Sequence, residues 1–357
     1  MAIGGAVSFS NSMTKRTRYF LFGAIGALLV GLSGGLIAYL AYDRSVGVPA
    51  GLPLEVRYVP ANAEVVAFAN VRDVMTSELR RELMPTIEAG SHKGRQMMSD
   101  FAGIDLEKQV HHIVAYVEAR ETPGQQDPQR PEIPRLLLLV QGSFEPARIE
   151  QFIHDRGGIM EDYKGGKLFM HPDAAKQMAL GLPGPDLIAI GQVDLVRRAM
   201  DRARDGARGA EDITSNDEMM DLIKDNAGST AWVVGHFDAM RRRMRLPSDF
   251  SVQVPPVRLV SMKAHVNGGM KATIRAEAGD KAAADQLRDT VRGFVSLARL
   301  HGGGQPGFES ALKSIELSGT DKTVQMSFAV APDTLRMLAP RRPDAPAPPP
   351  PPAPPGK

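Results

Sequence analysis

Between Tyr19 and Tyr42 the chain runs 24 residues without a charge, YFLFGAIGALLVGLSGGLIAYLAY. A helix of that length, rising about 1.5 Å per residue, covers about 36 Å, enough to cross a hydrocarbon core of about 30 Å. Nothing else in the sequence limits the fold as strongly, because so apolar a segment must leave water and separates the residues before it from those beyond it. Lys15, Arg16 and Arg18 stand before it, while Asp43 and Arg44 after it cancel. Positive flanks stay in the cytoplasm. Residues 1–18 are therefore expected inside, 19–42 across the inner membrane of a double-membraned bacterium, and everything beyond in the periplasm. A cleaved signal peptide would carry a shorter apolar region, about 7–15 residues, ending in a small-x-small site. Here Tyr39 and Tyr42 interrupt Ala38 and Ala41, so the segment reads as an uncleaved single-pass anchor.

The glycine-rich middle of the segment admits two other readings. Gly31-Leu-Ser33-Gly-Gly35 fits G-x-S-x-G, but a nucleophile elbow needs a strand before the serine and a helix of a soluble sheet after it. A phosphate loop needs Gly-Lys-Ser/Thr, which is missing. There remains a stripe of small residues, Gly23, Ala27, Gly31 and Gly35, recurring every four positions and able to let a second helix approach closely. The expected partners are the lipid bilayer along 19–42 and an envelope protein or a second copy of the chain.

The roughly 300 residues beyond the segment suffice for one large or two ordinary domains. A net charge of +2 gives no electrostatic case for nucleic acid. The absence of cysteine removes disulfides, thiol nucleophiles and thiolate metal sites together. Residues 43–54, DRSVGVPAGLPL, form a Gly/Pro linker, and residues 340–357, holding ten of the 27 prolines, form a disordered polyproline tail.

Between linker and tail the pattern repeats. EVVAFANVRDVM, HIVAYVEA, RLLLLVQGSFEPARIEQFIHDRG and DYKGGKLFMH are answered by TAWVVGHFDAM, RLVSMKAHV, GMKATIRAEAGDKAAADQLRDTVRGF and LKSIELSGTDKTVQMSFAV. Each set reads β-α-β-β-α-β-β, giving an α+β fold of mainly antiparallel sheets, each covered on one face by helices, in two repeats at 55–228 and 229–339. Asn267-Gly268 predicts a type I′ hairpin, Asp280 a cap for the helix Lys281–Leu300, and Ser215 with Glu218 a capping box. In that helix Ala284, Leu287, Val291, Phe294 and Ala298 form one stripe, and in the last strand Val324, Met326, Phe328 and Val330 share a face. The helix after Asn70 should stop or kink at Pro85.

Chemistry-bearing patterns are few. Ser310-Ala-Leu-Lys313 matches S-x-x-K of penicillin-recognising acyl enzymes, with Lys322-Thr323 downstream, yet Val324 stands where glycine belongs and no S-D-N occurs. GTDKTV, Gly319 to Val324, fits a hairpin turn better than a phosphorylation loop. His111 and His112 are adjacent on a strand and so point to opposite faces, while the remaining histidines are scattered. The sequence therefore offers no catalytic, cofactor-binding or metal-binding set. MRRRMRL places Arg241, Arg242, Arg243 and Arg245 around Met240 and Met244, by default a solvated helix face with apolar contacts at i and i+4, the alternative being contact with an anionic surface such as lipid headgroups or wall polymer.

The stretches YVPANAEVVAFANVRDVMTSELR, TSNDEMM, WVVGHFDA, NGGMKATIRAEAGDKAAADQLRDTVRGF and LSGTDKTVQMSFAV resemble an uncharacterised family of bacterial single-pass membrane-anchored proteins with a duplicated extracytoplasmic α+β domain. The resemblance, over about Val56–Leu338, implies no activity, cofactor or catalytic residue. The expected function is a non-enzymatic interaction or assembly module of the envelope. The alternatives are an envelope hydrolase or acyl-transfer enzyme using Ser310 and Lys313, or a protein binding lipid or another small ligand between the repeats. Replacing Gly31 by Leu is expected to weaken self-association of the anchor in a bacterial membrane two-hybrid assay. Unchanged association would remove the small-residue stripe as a contact.

Overall fold

The computed structural model describes residues 52–80, 106–119, 135–155, 157–170, 177–205, 212–243, 255–301 and 306–338. Residues 19–42, Pro85, Arg245 and the tail 340–357 lie outside them; among the described residues no helix is long and apolar enough to cross a membrane.

A 3-10 turn at Leu54–Tyr58 leads into β1 (Ala63–Asn70), followed by α1 (Val71–Thr76), α2 (Leu106–Gln109), β2 (Val110–Glu118), β3 (Arg135–Gly142) and α3 (Pro146–Asp155). Two hairpins come next, β4 (Ile159–Tyr163) with β5 (Gly166–Met170) and β6 (Met178–Gly184) with β7 (Leu187–Gln192). After them stand α4 (Val193–Asp205), a 3-10 turn at Ile213–Ser215 and α5 (Asp217–Asn226). The remainder is β8 (Ala231–His236), α6 (Phe237–Arg243), β9 (Val257–Val266), β10 (Met270–Ala278), α7 (Lys281–His301), α8 (Pro306–Lys313), β11 (Glu316–Ser318), β12 (Thr323–Val330) and α9 (Pro332–Leu338).

Among the described residues twelve strands join one sheet in the order β11-β12-β10-β9-β8-β1-β2-β3-β7-β6-β5-β4. The α+β class and the antiparallel pairing agree with the sequence reading, but the separate sheets do not. β1 pairs with β8 from Val65↔Gly235 to Ala69↔Ala231, which fuses the two halves into a single layer. From this seam the order runs outward in matching steps, β1-β2-β3 and then the β7-β6 hairpin, against β8-β9-β10 and then β12-β11. The β6-β7 hairpin, MALGLPGPDLIAIGQ, is not anticipated by the sequence, because its Gly and Pro residues read as loop. Gly181 explains itself by packing: a Cβ there would meet Val196 Cγ1 at 2.6 Å and Met200 Sδ at 2.8 Å, so its absence lets α4 settle on the strand.

Helices cover both faces, which corrects the one-sided expectation. On the near face Val66, Tyr116, Leu137, Trp232 and Val234 meet Leu195, Val196, Ala199 and Met200 of α4, and Met219, Leu222 and Ile223 of α5. On the opposite face Ile113, Val140 and Ile188 lie under Ile149 and Ile153 of α3. Alternation along each strand supplies both sets, as in Ile113 and Val114 or Leu139 and Val140, so these strands are buried twice over. The outer strands differ. Their near face carries the aligned polar row Lys263↔Thr273↔Ser327. Their opposite face packs Ala278 and Val324 against Ala283 and Ala284 of α7.

Local signals fared unevenly. Asp280 caps α7, its carboxylate accepting from the Ala283 amide at 2.8 Å. The α7 stripe is buried at Ala284, half-buried at Leu287 and Val291, and emerges at Phe294, 37 % exposed, because the helix outruns the sheet. The α5 cap is Asn216 rather than Ser215: its side chain accepts from the Met219 amide, while Ser215 donates its hydroxyl to the Asp212 carbonyl. The β9-β10 connection spans Asn267, Gly268 and Gly269 between the paired Val266 and Met270. With no positive φ in it, the type I′ turn is not formed. The β11-β12 turn is as read, with Gly319 at φ 101° and Asp321 at φ 51°. α1 ends at Thr76, and the stop or kink expected at Pro85 lies outside the described residues.

Gly235 sits on the seam, opposite Val65. A Cβ there would run into the Glu64 carbonyl and stand 2.9 Å from Val65 Cα, both backbone atoms that cannot swing aside. Gly235→Ala is therefore expected to cost about 1–3 kcal/mol, read as a lower urea midpoint of the fluorescence of Trp232, the chain's single tryptophan. An unchanged midpoint would mean that the seam yields without loss.

Candidate functional site

β8 ends in His236 and turns directly into α6, which puts His236, Phe237, Asp238 and Arg241 around one end of the seam. Glu64 at the start of β1 and Arg258 at the start of β9 close the ring, with Pro255 and Pro256 as an apolar wall. The result is an open depression of about 510 Å³. Arg241 is exposed and lies 3.5 Å from Asp238, one turn earlier on the same helix. Arg258 reaches Glu218 at 2.5 Å and Glu277 at 3.9 Å. Pairs so open to water are screened and exchange readily, so both guanidiniums remain able to turn toward an anionic guest. Among the described lining residues there is no serine, threonine, lysine or cysteine. Its rim carries two carboxylates, Glu64 and Asp238, two guanidiniums, Arg241 and Arg258, and the His236 imidazole.

Of the four arginines singled out, Arg241 alone is placed at the depression. Arg242 and Arg243 belong to α6, with side chains outside the described set, and Arg245 lies beyond it. The small-residue stripe Gly23, Ala27, Gly31 and Gly35 also lies outside the described residues. Ser310 is exposed on α8, and Lys313, one turn on, lies 3.9 Å from Glu309. The adjacent histidines take different partners: His112 Nε2 meets Glu55 Oε2 at 2.7 Å, and His111 Nε2 lies 3.1 Å from Ser143 Oγ. His112 also abuts Phe68, whose ring stacks on Trp232 at 5.7 Å and 24°.

A second charged cluster lies under α4. Glu118, paired across the sheet with Arg135, has its side chain only 3 % exposed. One of its oxygens accepts from Arg198 at 2.6 Å and Arg135 at 3.3 Å, and Arg135 continues to Asp194 at 2.5 Å. The other oxygen is buried with no hydrogen-bond partner. Burial, reinforced by the Glu118 charge, pushes the neighbouring Tyr116 phenol above its ordinary range. This network ties α4 to the β2-β3 rim and serves the fold. No spacing announces it, since its members lie as far as 80 positions apart. The depression is equally silent in sequence, because Glu64, Arg241 and Arg258 meet only after β1, β8 and β9 pair.

No protein-family model and no curated protein matches the chain. One solved structure, described as "Structure of crystal form I of TP0453", is similar over 82 % of this chain and 98 % of its own, with 10 % identity and a TM-score of 0.45.

The buried network makes an asymmetric prediction. Removing both cations, Arg135→Met with Arg198→Met, strands the Glu118 carboxylate and should destabilise the protein by about 3–5 kcal/mol. Adding Glu118→Leu to that double variant should restore part of the loss in urea denaturation. A triple variant weaker than the double would refute the account.

Proposed function

We propose that this chain is a single-pass envelope protein, anchored through residues 19–42, whose α+β domain stands in the periplasm as a non-enzymatic interaction module. In this reading the domain docks an anionic segment of another envelope protein at Arg241 and Arg258. The observation that carries it is the depression at the seam, where two exchangeable guanidiniums and His236 surround an open volume of about 510 Å³. Arginine forks match carboxylates and phosphates bidentately, which suits recognition better than lysine would.

The same proposal includes a duplication, with repeats at 55–228 and 229–339 and kinship to the membrane-anchored family that the sequence resembles. The matching outward strand order from the β1-β8 seam favours it. On this view the β4-β5 hairpin is an addition to the first repeat, since the second has a single hairpin, β11-β12, beyond β10.

A second reading is a small polar ligand held in the depression. Its volume falls within the roughly 300–1,000 Å³ of ligand sites, and its wall takes Glu64 from the first half and the rest from the second. The hydrolase alternative draws no support from Ser310, which is exposed and has Lys313 turned to Glu309.

Photo-crosslinking from position 238 of the full-length protein in native membranes, with mass spectrometry of the products, tests the docking site. One reproducible envelope partner is expected, lost when Arg241→Glu and Arg258→Glu are combined. A partner retained by that double variant would sink the surface proposed. Recovery of self-crosslinks alone would turn the reading to self-association, and a bound small molecule in native mass spectra would favour the second reading.

A further inference from the structure

The anchor reading fixes a distance. From Tyr42, the last residue of the apolar segment, to Leu52, where the described fold begins, the chain takes ten steps. Fully extended, such a tether reaches about 34 Å, and as a flexible coil about 17 Å. Twelve strands at about 4.8 Å spacing make a sheet about 53 Å across. The tether is shorter than the body it holds, so the body cannot present all its sides to the bilayer, and the side on which the tether arrives is held closest.

That side is the near face. Leu52 packs against the near-face core, and the Leu54–Tyr58 turn lies upon it with Val56 and Val59 buried. The turn is pinned further by Glu55, whose buried carboxylate meets His112. Leu54 cannot fold back into a core its own neighbours already fill. It stands 73 % exposed, the most exposed large apolar side chain among the described residues. Arg57 is exposed three positions on, and its carbonyl accepts from Arg202 of α4 at 3.2 Å, which brings that guanidinium beside the turn.

We propose that the near face lies against the membrane surface, with Leu54 inserted at the boundary of headgroups and acyl chains and Arg57 and Arg202 set toward anionic lipid phosphates. An apolar side chain with cations on and beside its own turn suits that interface, where hydrophobic burial and phosphate contact add. α5, on the same face, carries Asp217, Glu218 and Asp221 in its first turns. Those carboxylates are repelled, so the body tilts with the α4 side toward the bilayer. α6 packs on the opposite face, its Met240 over Gly235, while Arg258 reaches Glu218 of α5, so the depression opens at the strand ends where the two faces meet and is not covered by the near face.

The proposal rests on the reading of residues 19–42 as an anchor, and the test separates the two. The chain has no cysteine, so Leu54→Cys and, on the opposite face of the outermost strand, the exposed Asp162→Cys each give a single labelling position. Full-length protein carrying an environment-sensitive fluorophore is placed in vesicles of phosphatidylcholine and phosphatidylglycerol, and flotation scores the anchor. The label at 54 is expected to shift to the blue and be quenched by spin-labelled acyl chains, while the label at 162 behaves as in water. Arg57→Glu should lower the quenching at 54. A protein that floats while its label at 54 reports water overturns the surface contact and leaves the anchor standing. A protein that fails to float overturns both.

Discussion

Five residue pairs between β1 and β8, from Val65↔Gly235 to Ala69↔Ala231, hold the molecule together as one layer. The placement of the groups around the depression depends on that junction. It stacks Phe68 on Trp232 at the centre of the near face. It brings Glu64 beside His236 and Arg258 at one strand end. It also leaves no boundary at which the halves could part, since a ladder of main-chain hydrogen bonds crosses where a linker between domains would otherwise run. Such a junction tolerates little intrusion, and at Gly235 a side chain would meet the Glu64 and Val65 backbone.

Charge is used in two opposed ways within this one body. Glu118 is enclosed, and its two arginines compensate a carboxylate that water cannot reach. At the seam, by contrast, Arg241 and Arg258 pair with carboxylates in contact with solvent, where Coulomb attraction is weak enough to be exchanged for a better guest. The residue types are the same. Solvent access alone separates the enclosed cluster from the open one.

Sequence periodicity carried the fold a long way, because strands such as VQMSFAV and the capped α7 have patterns local enough to be read in isolation. It failed where the deciding neighbour was remote. The MALGLPGPDLIAIGQ hairpin looks like loop until α4 is known to need a bare backbone at Gly181. Coverage of both faces was hidden in runs such as IVAY and LLLLV, whose continuous hydrophobicity serves two cores at once. The cap at Asn216 lay one residue from the Ser215 that the capping-box pattern selects, a shift that competing local hydrogen bonds to Asp212 decide. As for the candidate site, Arg241 was legible as part of an arginine run, whereas Glu64 and Arg258 carry no mark until strands distant in sequence are aligned.

The same junction sets a timetable. About 160 residues separate the end of β1 from the start of β8. At roughly 5–20 residues per second, a ribosome needs on the order of 8–30 s to make them. Over that interval β2 can already cover one edge of β1, while the other edge keeps its hydrogen-bonding groups open to any passing strand. The first half of this chain is thus born with an unfinished edge at the middle of its future sheet. Val65 to Ala69 keep that edge unpaired until their own partner strand arrives.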